Sequence, residues 1–446
     1  MLLVSEIIKV IRAEPTGKII DEMIKGVSVD SRRIKKGEVF FGIKGERYDG
    51  NLFAHEALDK GAILSVVNTG KVRGDKIVHV EDTIEALGKL ASYYRNKLNA
   101  KIIGITGTNG KTTTKRILEK ILSTHFKTIA SFKSYNNMIG VPLTILSMKK
   151  DTEVGIVEIG INQIGEMEKL AGIVRPHIAL ITNIGPGHLE GLKNEKTVAQ
   201  EKMKIADYLK ENIIFLPADS RLLKDAEKRK VKVVSFGESK RADYCIRIKK
   251  MEKEGSYFSI NDEDFFINLP GRGNVFNAGG AGVLAMHYFN IPSYEIKKLF
   301  KNLNGEKMRL EIKKVKKITI INDAYNANPV SVKNSIEYLG MFEGRKIAVL
   351  GPMLELGTRE KKYHEEVIDY AKKRVDILIV YDEKDLYPKN RGFKKFKNSQ
   401  EIIDYLKEIL KDGDTILFKA SRKFEFEKII KMLEEAYALS PSLSTS

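Results

Sequence analysis

Residues 101–115 read KIIGITGTNGKTTTK: an apolar run, two glycines three positions apart, then a lysine and three threonines that open a helical pattern. A buried strand that passes through a glycine turn into a helix is the opening unit of a doubly wound, mostly parallel α/β sheet. Gly107 and Gly110 permit the turn in which backbone N–H groups converge on an anion at the helix N-terminus. Lys111 adds positive charge there, and Thr112 offers the kind of hydroxyl that binds Mg2+. A plain glycine turn requires neither, so the stretch reads as a phosphate cradle. Its spacing departs from GxxxxGK[ST]: Ile105 occupies the first glycine position and Gly104 stands one residue earlier.

Outward from the cradle, EVGIVEI (153–159), HIALITNI (177–184) and NIIFLP (212–217) alternate with helical stretches, which predicts a central parallel sheet. Residues 244–269 read as short antiparallel strands packed on that sheet, with a helix following from about 274. After Gly305 a smaller alternation begins, with KITIIND, KIAVLG, ILIVYD and TILFKA as strands. Before the cradle, GVSVDSRR, GEVFFGIKG and ILSVVN precede a helix over 83–98. The expected fold is therefore α/β in three domains: 1–99, 100–307 with the phosphate loop, and a Rossmann-like 308–439. The polar residues 440–446 cannot bury enough surface to order themselves and are read as a flexible tail.

A chain of 446 residues with 42% hydrophobic content can fill two or three cores. Its single cysteine, Cys245, excludes a disulfide framework and a multi-cysteine zinc site and fits a reducing, cytoplasmic setting. The N-terminal residues are broken by charges, so neither a signal sequence nor a membrane span is expected. The net charge of +18 is dispersed and interleaved with Glu, without a nucleic-acid signature, so nucleic acid is disfavoured, while an anionic small substrate and a lysine-rich solvated exterior both stay open. Abundant Lys and Glu beside only Gln163, Gln200 and Gln400 lean towards a thermophilic source.

Glu158 ends one predicted strand and His188 follows the next, which places both at the carboxyl edge where open α/β sheets bind ligands. Separately they read as a solvated strand end and a structural histidine. Together, beside a phosphate loop, they point to Mg2+.

The TGTNGKTT form, with these residues, resembles the Mur ligase family, in the superfamily that also holds folylpolyglutamate synthase. The likeness covers nearly the whole chain outside residues 244–269 and the tail. It implies that Gly107, Thr108, Asn109, Gly110, Lys111, Thr112 and Thr113 hold ATP phosphates, and that Lys111, Glu158, His188, Lys202 and Arg309 are catalytic. Thr112, Glu158, His188 and Lys202 would hold Mg2+, with Lys202 carboxylated by CO2 to a carbamate. Only a neutral amine reacts with CO2, so that lysine needs a depressed pKa. A surface lysine is the alternative, and Lys204 stands where relatives carry a carboxylate.

GRGNVFNAGGAG resembles the family's adenine-binding helix start, giving Asn274 and Asn277, although Gly273 replaces the usual His and a simple N-cap stays open for Asn274. EKMRLEI and INDAYNANPVSV resemble segments that bring Arg309 and Asp323 to the nucleotide and Tyr325, Asn326 and Asn328 to the substrate. GDTILFKASR supplies Lys419, Ser421 and Arg422 as further substrate contacts. AVLGPMLELG and the later Tyr363-His364 also resemble family segments, with Pro352 in place of Asp. The DSR motif, Ser31 and Arg32, resembles the UDP-binding domain, where Asn51 replaces a frequent His. YNNMIGVPLTIL places Asn136 and Asn137 in the substrate cleft.

YNANP and EIGINQIGEM resemble the branch that joins D-alanyl-D-alanine to UDP-N-acetylmuramoyl tripeptide through an acyl phosphate, releasing ADP and phosphate. The alternative is the branch that adds a diamino acid to the UDP-muramoyl dipeptide. A phosphate-loop ATPase switch would leave Glu158, His188 and Lys202 without work. A nucleic-acid-binding protein would rest on charge alone. The expected partners are the two substrates and ATP, and the expected state is a monomer.

Overall fold

The structure, a computed structural model, describes residues 2–218, 221–388 and 392–439, so the tail expected at 440–446 lies outside the described residues. Three sheets follow one another along the chain. The first has five strands in the spatial order Glu14–Pro15, Ile77–His79, Leu64–Val67, Glu38–Phe41 and Gly26–Ser28, parallel except for the first.

The helix Thr83–Arg95 starts where the Asp82 carboxylate accepts the N–H groups of Ile84 and Glu85 at 2.7 and 2.8 Å. Such a cap satisfies donors that the first turn leaves free. The sequence pattern assigns this helix to the N-terminal domain, yet it also packs against the central helices Gly140–Ser147 and Glu166–Val174. One core consequently runs from Val39 and Leu64 through Leu87 and Leu90 to Ile102 and Val157. Arg95 is fully buried at this junction and donates to the carbonyls of Val174 and Arg175, the last of a helix, at 2.8 and 3.1 Å.

The central sheet has nine strands. From Thr128–Ala130 through Val154–Glu158, Lys101–Thr106, Ile178–Ile181 and Ile213–Pro217 to Lys232–Gly237 all pairings are parallel. The chain switches sides at Lys101–Thr106, whose carboxyl end faces the phosphate turn, which is where such folds leave a crevice. Residues 244–267 do not pack on a sheet face as the pattern implied. Tyr244–Met251 pairs in parallel with Lys232–Gly237, and two antiparallel strands extend the same edge. The helix Arg272–Phe289 crosses them closely, since a Cβ at Gly279 would lie 2.4 Å from Ile246 Cδ1.

The third sheet has six strands, four of them those expected. The strands Glu311–Val315 and Lys394–Phe396 form its edges. Two apolar clusters cover its faces, one around Ile320, Val349 and Phe418 and one around Ile321, Leu350 and Leu417.

Candidate active site between the central and C-terminal sheets

Positive φ angles at Gly107 (145°) and Gly110 (77°) turn the chain from the strand Lys101–Thr106 into the helix Lys111–Leu122. A Cβ would meet Thr182 Oγ1 at 1.9 Å in the first case and Asn277 Oδ1 at 2.0 Å in the second, so neither position accepts a side chain. Asn183 braces the turn: its carbonyl accepts from Thr108 N and its Oδ1 accepts from Asn109 N, both at 3.0 Å. Lys111 Nζ folds back onto the carbonyls of Gly107 and Thr108 at 2.9 and 3.2 Å, and burial pulls its pKa below the usual lysine range.

Glu158 is buried. Its Oε1 accepts from Thr112 Oγ1 at 3.1 Å and Asn136 Nδ2 at 2.8 Å, while Oε2 lies 3.4 Å from Lys115 Nζ and has no hydrogen-bond partner among the described residues. Lys202 is also buried, with a partnerless Nζ. Burial, reinforced by the charge of Lys111, lowers its pKa far below the usual lysine range. It is not a surface lysine. Lys204, by contrast, pairs with Glu201 at 2.7 Å and Glu168 at 3.3 Å.

A cleft of about 280 Å3 separates this loop from the C-terminal sheet. Thr108 to Thr113, Asn136, Glu158, His188, Asn274 and Asn277 line it from one side. Arg309, Asp323, Tyr325, Asn326, Asn328 and Lys419 line it from the other. Gly271 is the N-cap of the helix Arg272–Phe289, so Asn274 is not a cap; its Nδ2 donates to Pro270 O at 2.8 Å. Arg309 pairs with Glu306 at 2.7 Å and lies over the Tyr325 ring, whose hydroxyl bonds Ser134 Oγ. Lys419 is buried against Asp323 at 2.6 Å and is thus the counter-ion of a carboxylate that lines the cleft. Asn326 Oδ1 accepts from Ala327 N at 2.9 Å.

Asn137 Oδ1 accepts from Gly140 N at 2.9 Å, where the helix Gly140–Ser147 begins, and the residue lines an adjoining hollow with Lys111 and His188. Ser31, Arg32, Ser421 and Arg422 are not brought to the cleft. Ser31 is buried in the first unit, and the exposed Arg32 pairs with Asp30 at 2.9 Å. Arg422 pairs with Glu427 at 2.7 Å. Ser421 Oγ accepts from Leu354 N at 2.9 Å and so holds a loop of the C-terminal unit.

Three family models match the chain: the Mur ligase family catalytic domain over residues 23–95, the Mur ligase middle domain over 105–285, and the Mur ligase glutamate ligase domain over 308–422. The chain belongs to the Mur ligase family. It is 34% identical to the UDP-N-acetylmuramoyl-tripeptide--D-alanyl-D-alanine ligase of Bacillus subtilis, over 97% of this chain and 98% of that one. Among solved structures, MurF from Acinetobacter baumannii superposes with a TM-score of 0.84 at 26% identity, covering 96% and 98% of the two chains. MurF from Thermotoga maritima in complex with ADP gives 0.81 at 28%, covering 92% and 97%. A UDP-N-acetylmuramoyl-L-alanyl-D-glutamate--2,6-diaminopimelate ligase shares the fold at a TM-score of 0.54 and 15% identity, covering 94% and 96%.

Two residues of this Mur ligase's site escape a reading of the sequence. Lys115, four positions after Lys111 on the same helix, is buried and donates to the carbonyls of Ser131, at 2.7 Å, and Lys133. The i, i+4 spacing was the available signal. Glu355, in the GPMLELG loop, takes a left-handed φ of 64° and places Oε2 2.5 Å from His188 Nδ1. That contact holds the Glu355 carboxyl below the usual range against the opposing effect of burial, with further help from Lys111.

Proposed function

We propose that this Mur ligase joins D-alanyl-D-alanine to UDP-N-acetylmuramoyl tripeptide using ATP. The observation that carries the proposal is the cleft itself, in which a phosphate loop faces Arg309, Asp323 and Lys419 of a second unit. The function named for the Bacillus subtilis relative supports the choice of substrates. In this reading the tripeptide's terminal carboxylate attacks the γ-phosphorus, ADP leaves, and the dipeptide amine attacks the resulting acyl phosphate, releasing phosphate as the amide forms. Lys111 exchanges its two loop carbonyls for phosphate oxygens, and Arg309 holds the charge that builds on the transferring group. Asn274 and Asn277 face the base, and Asp323, paired with Lys419, faces the ribose.

Mg2+ and a carbamate on Lys202 belong to the same proposal. Among the described residues no three His, Cys, Asp or Glu side chains form a metal cluster. Mg2+ bound to nucleotide phosphates needs only one or two protein oxygens, and Thr112 and Glu158 Oε2, which accepts no hydrogen bond among the described residues, fit that need. The Lys202 amine, whose burial favours its uncharged form and whose Nζ has no hydrogen-bond partner among the described residues, fits carboxylation by CO2. Mg2+ held there would neutralise phosphate charge during transfer, and an anionic carbamate on Lys202 would help to hold the ion. His188, whose Nδ1 lies 2.5 Å from Glu355 Oε2, also lines the phosphate cleft.

Acyl phosphates hydrolyse, so the site must exclude water until the amine arrives. The two units meet across the cleft through Asn109 and Asn328, Ser134 and Tyr325, and His188 and Glu355. Among the described residues no helix is long and apolar enough to cross a membrane. The buried, free Cys245 suits a reducing cytoplasm. The direct test is phosphate release and product mass with ATP, Mg2+, D-alanyl-D-alanine and UDP-N-acetylmuramoyl tripeptide. Pentapeptide formed only when all four are present supports the reading; phosphate release indifferent to both peptides overturns it.

A further inference from the structure

Beyond His188 the seam between the two units opens into a second cavity of about 460 Å3, lined by Asn162, Gln163, His188, Glu190 and Glu355 together with Ile164 and Gly191. Among the described residues no lysine or arginine lines it, in a chain that carries 77 of them against 59 acidic residues. Two carboxylates face a space whose other polar groups are side-chain amides and one imidazole. That chemistry suits a primary ammonium. His188 belongs to this cavity and to the phosphate cleft alike, so an amine held here lies next to the place where an acyl phosphate would form.

Glu355 is presented from a fixed support. Leu354 N donates to Ser421 Oγ at 2.9 Å and Met353 N to His364 Nε2 at 2.9 Å, which ties the loop to the C-terminal unit. Glu190 N donates to the Glu355 carbonyl at 3.2 Å, which ties it to the central unit. A left-handed φ at a non-glycine residue costs energy and persists where surrounding contacts over-determine it. Oε2 lies 2.5 Å from His188 Nδ1, and the side chain, 49% exposed, leaves the carboxylate open to the cavity.

We infer that Glu355 is the docking residue for the ammonium group of the incoming amine substrate, and that the cavity between Glu355 and Asn162 is its acceptor subsite. This rests on the ligase reading. Because Glu355 comes from one unit and Asn162 and Glu190 from the other, the subsite is complete only when the units meet. The acceptor is thereby bound by the same closed arrangement that keeps water from the acyl phosphate.

Hydroxylamine separates the two claims, because it is largely uncharged at neutral pH and traps acyl phosphates as hydroxamates without an ammonium to dock. With tripeptide, ATP and hydroxylamine the wild-type enzyme should yield hydroxamate; its absence would overturn the ligase reading before any variant is made. Replacing the carboxylate by an amide in Glu355→Gln should raise KM for D-alanyl-D-alanine about tenfold to a hundredfold, the range for losing a charged hydrogen bond. The ratio of peptide ligation to hydroxamate formation should fall by a similar factor at limiting dipeptide, and Glu355→Asp should recover part of it. A dipeptide KM within twofold of wild type, or hydroxamate formation falling in parallel with ligation, would overturn the assignment.

Discussion

Asn328 Nδ2 donates to Asn109 Oδ1 at 2.5 Å, and Asn109 Nδ2 reaches back to Asn328 Oδ1 at 3.4 Å, so the phosphate loop and the C-terminal unit meet amide to amide. The same Asn328 Oδ1 accepts from Ser331 N at 3.0 Å and caps the helix Pro329–Leu339. One side chain therefore starts a helix and bridges the cleft. The two roles separate by length. Asn328→Ser retains a capping oxygen but not the reach to Asn109, so Tm should move by less than about 2 °C while ligation kcat falls about tenfold. Asn328→Ala loses both and should cost roughly a further 1 kcal/mol of stability. Calorimetry with steady-state kinetics checks the split; equal kinetics for Asn328→Ser and wild type would remove Asn109–Asn328 from catalysis.

Lys115 faces Glu158 with both side chains 1% exposed. Burial lowers its pKa, and Glu158 opposes that shift. Deleting one member of such a pair leaves the other charge buried, at a cost on the order of 3 kcal/mol. Lys115→Met should therefore lower stability by about that amount and weaken Mg·ADP binding at least tenfold, read by titration calorimetry. Unchanged nucleotide affinity in a destabilised variant would make Lys115 a purely structural residue.

The contrast between Lys115 and Lys111 shows what a sequence can reveal. Lys111 follows a glycine at a helix start, and that local chemistry names its task. Lys115 is buried only because residues 131–133 fold across it, a contact set by tertiary structure. The parallel strands announced themselves as apolar runs between helices. Glu311–Val315 did not, since it alternates Glu, Ile and Lys at an edge and buries none of them fully. Ser421 and Arg422 were legible as a family segment, but their distance from the cleft follows from the turn after the strand Thr415–Lys419.

Lys202 carries the sharpest chemical prediction. An enclosed amine whose pKa burial lowers should take up CO2, so 13C-labelled bicarbonate should produce a carbamate resonance that Lys202→Ala lacks. Ligation by that variant should fall at least about a hundredfold, as for loss of a preorganised charge. Formate or acetate should restore part of it by placing an anion in the vacated space. Full activity of Lys202→Ala without added acid would refute the carbamate.

His177 sets a pH limit on the joint between the first two units. Its Nδ1 accepts from Ile102 N at 2.8 Å, and Arg95 Nη2 lies 3.4 Å away. Burial, then the Arg95 charge, lowers its pKa from 6.5 to about 4. Between those values the unfolded chain binds a proton that the folded chain refuses, so stability rises with pH through the window. The contribution is complete above pH 6.5 and is lost as pH falls towards 4. With the ring only partly buried, solvent screening reduces the loss to roughly 1–2 kcal/mol. His177→Asn keeps an acceptor for Ile102 N without a titrating group. Its Tm should fall less steeply than that of the wild type between pH 6.5 and 4, while the two curves run parallel above pH 7. Identical slopes throughout the acid range would show that protonation of this imidazole plays no part in opening the joint.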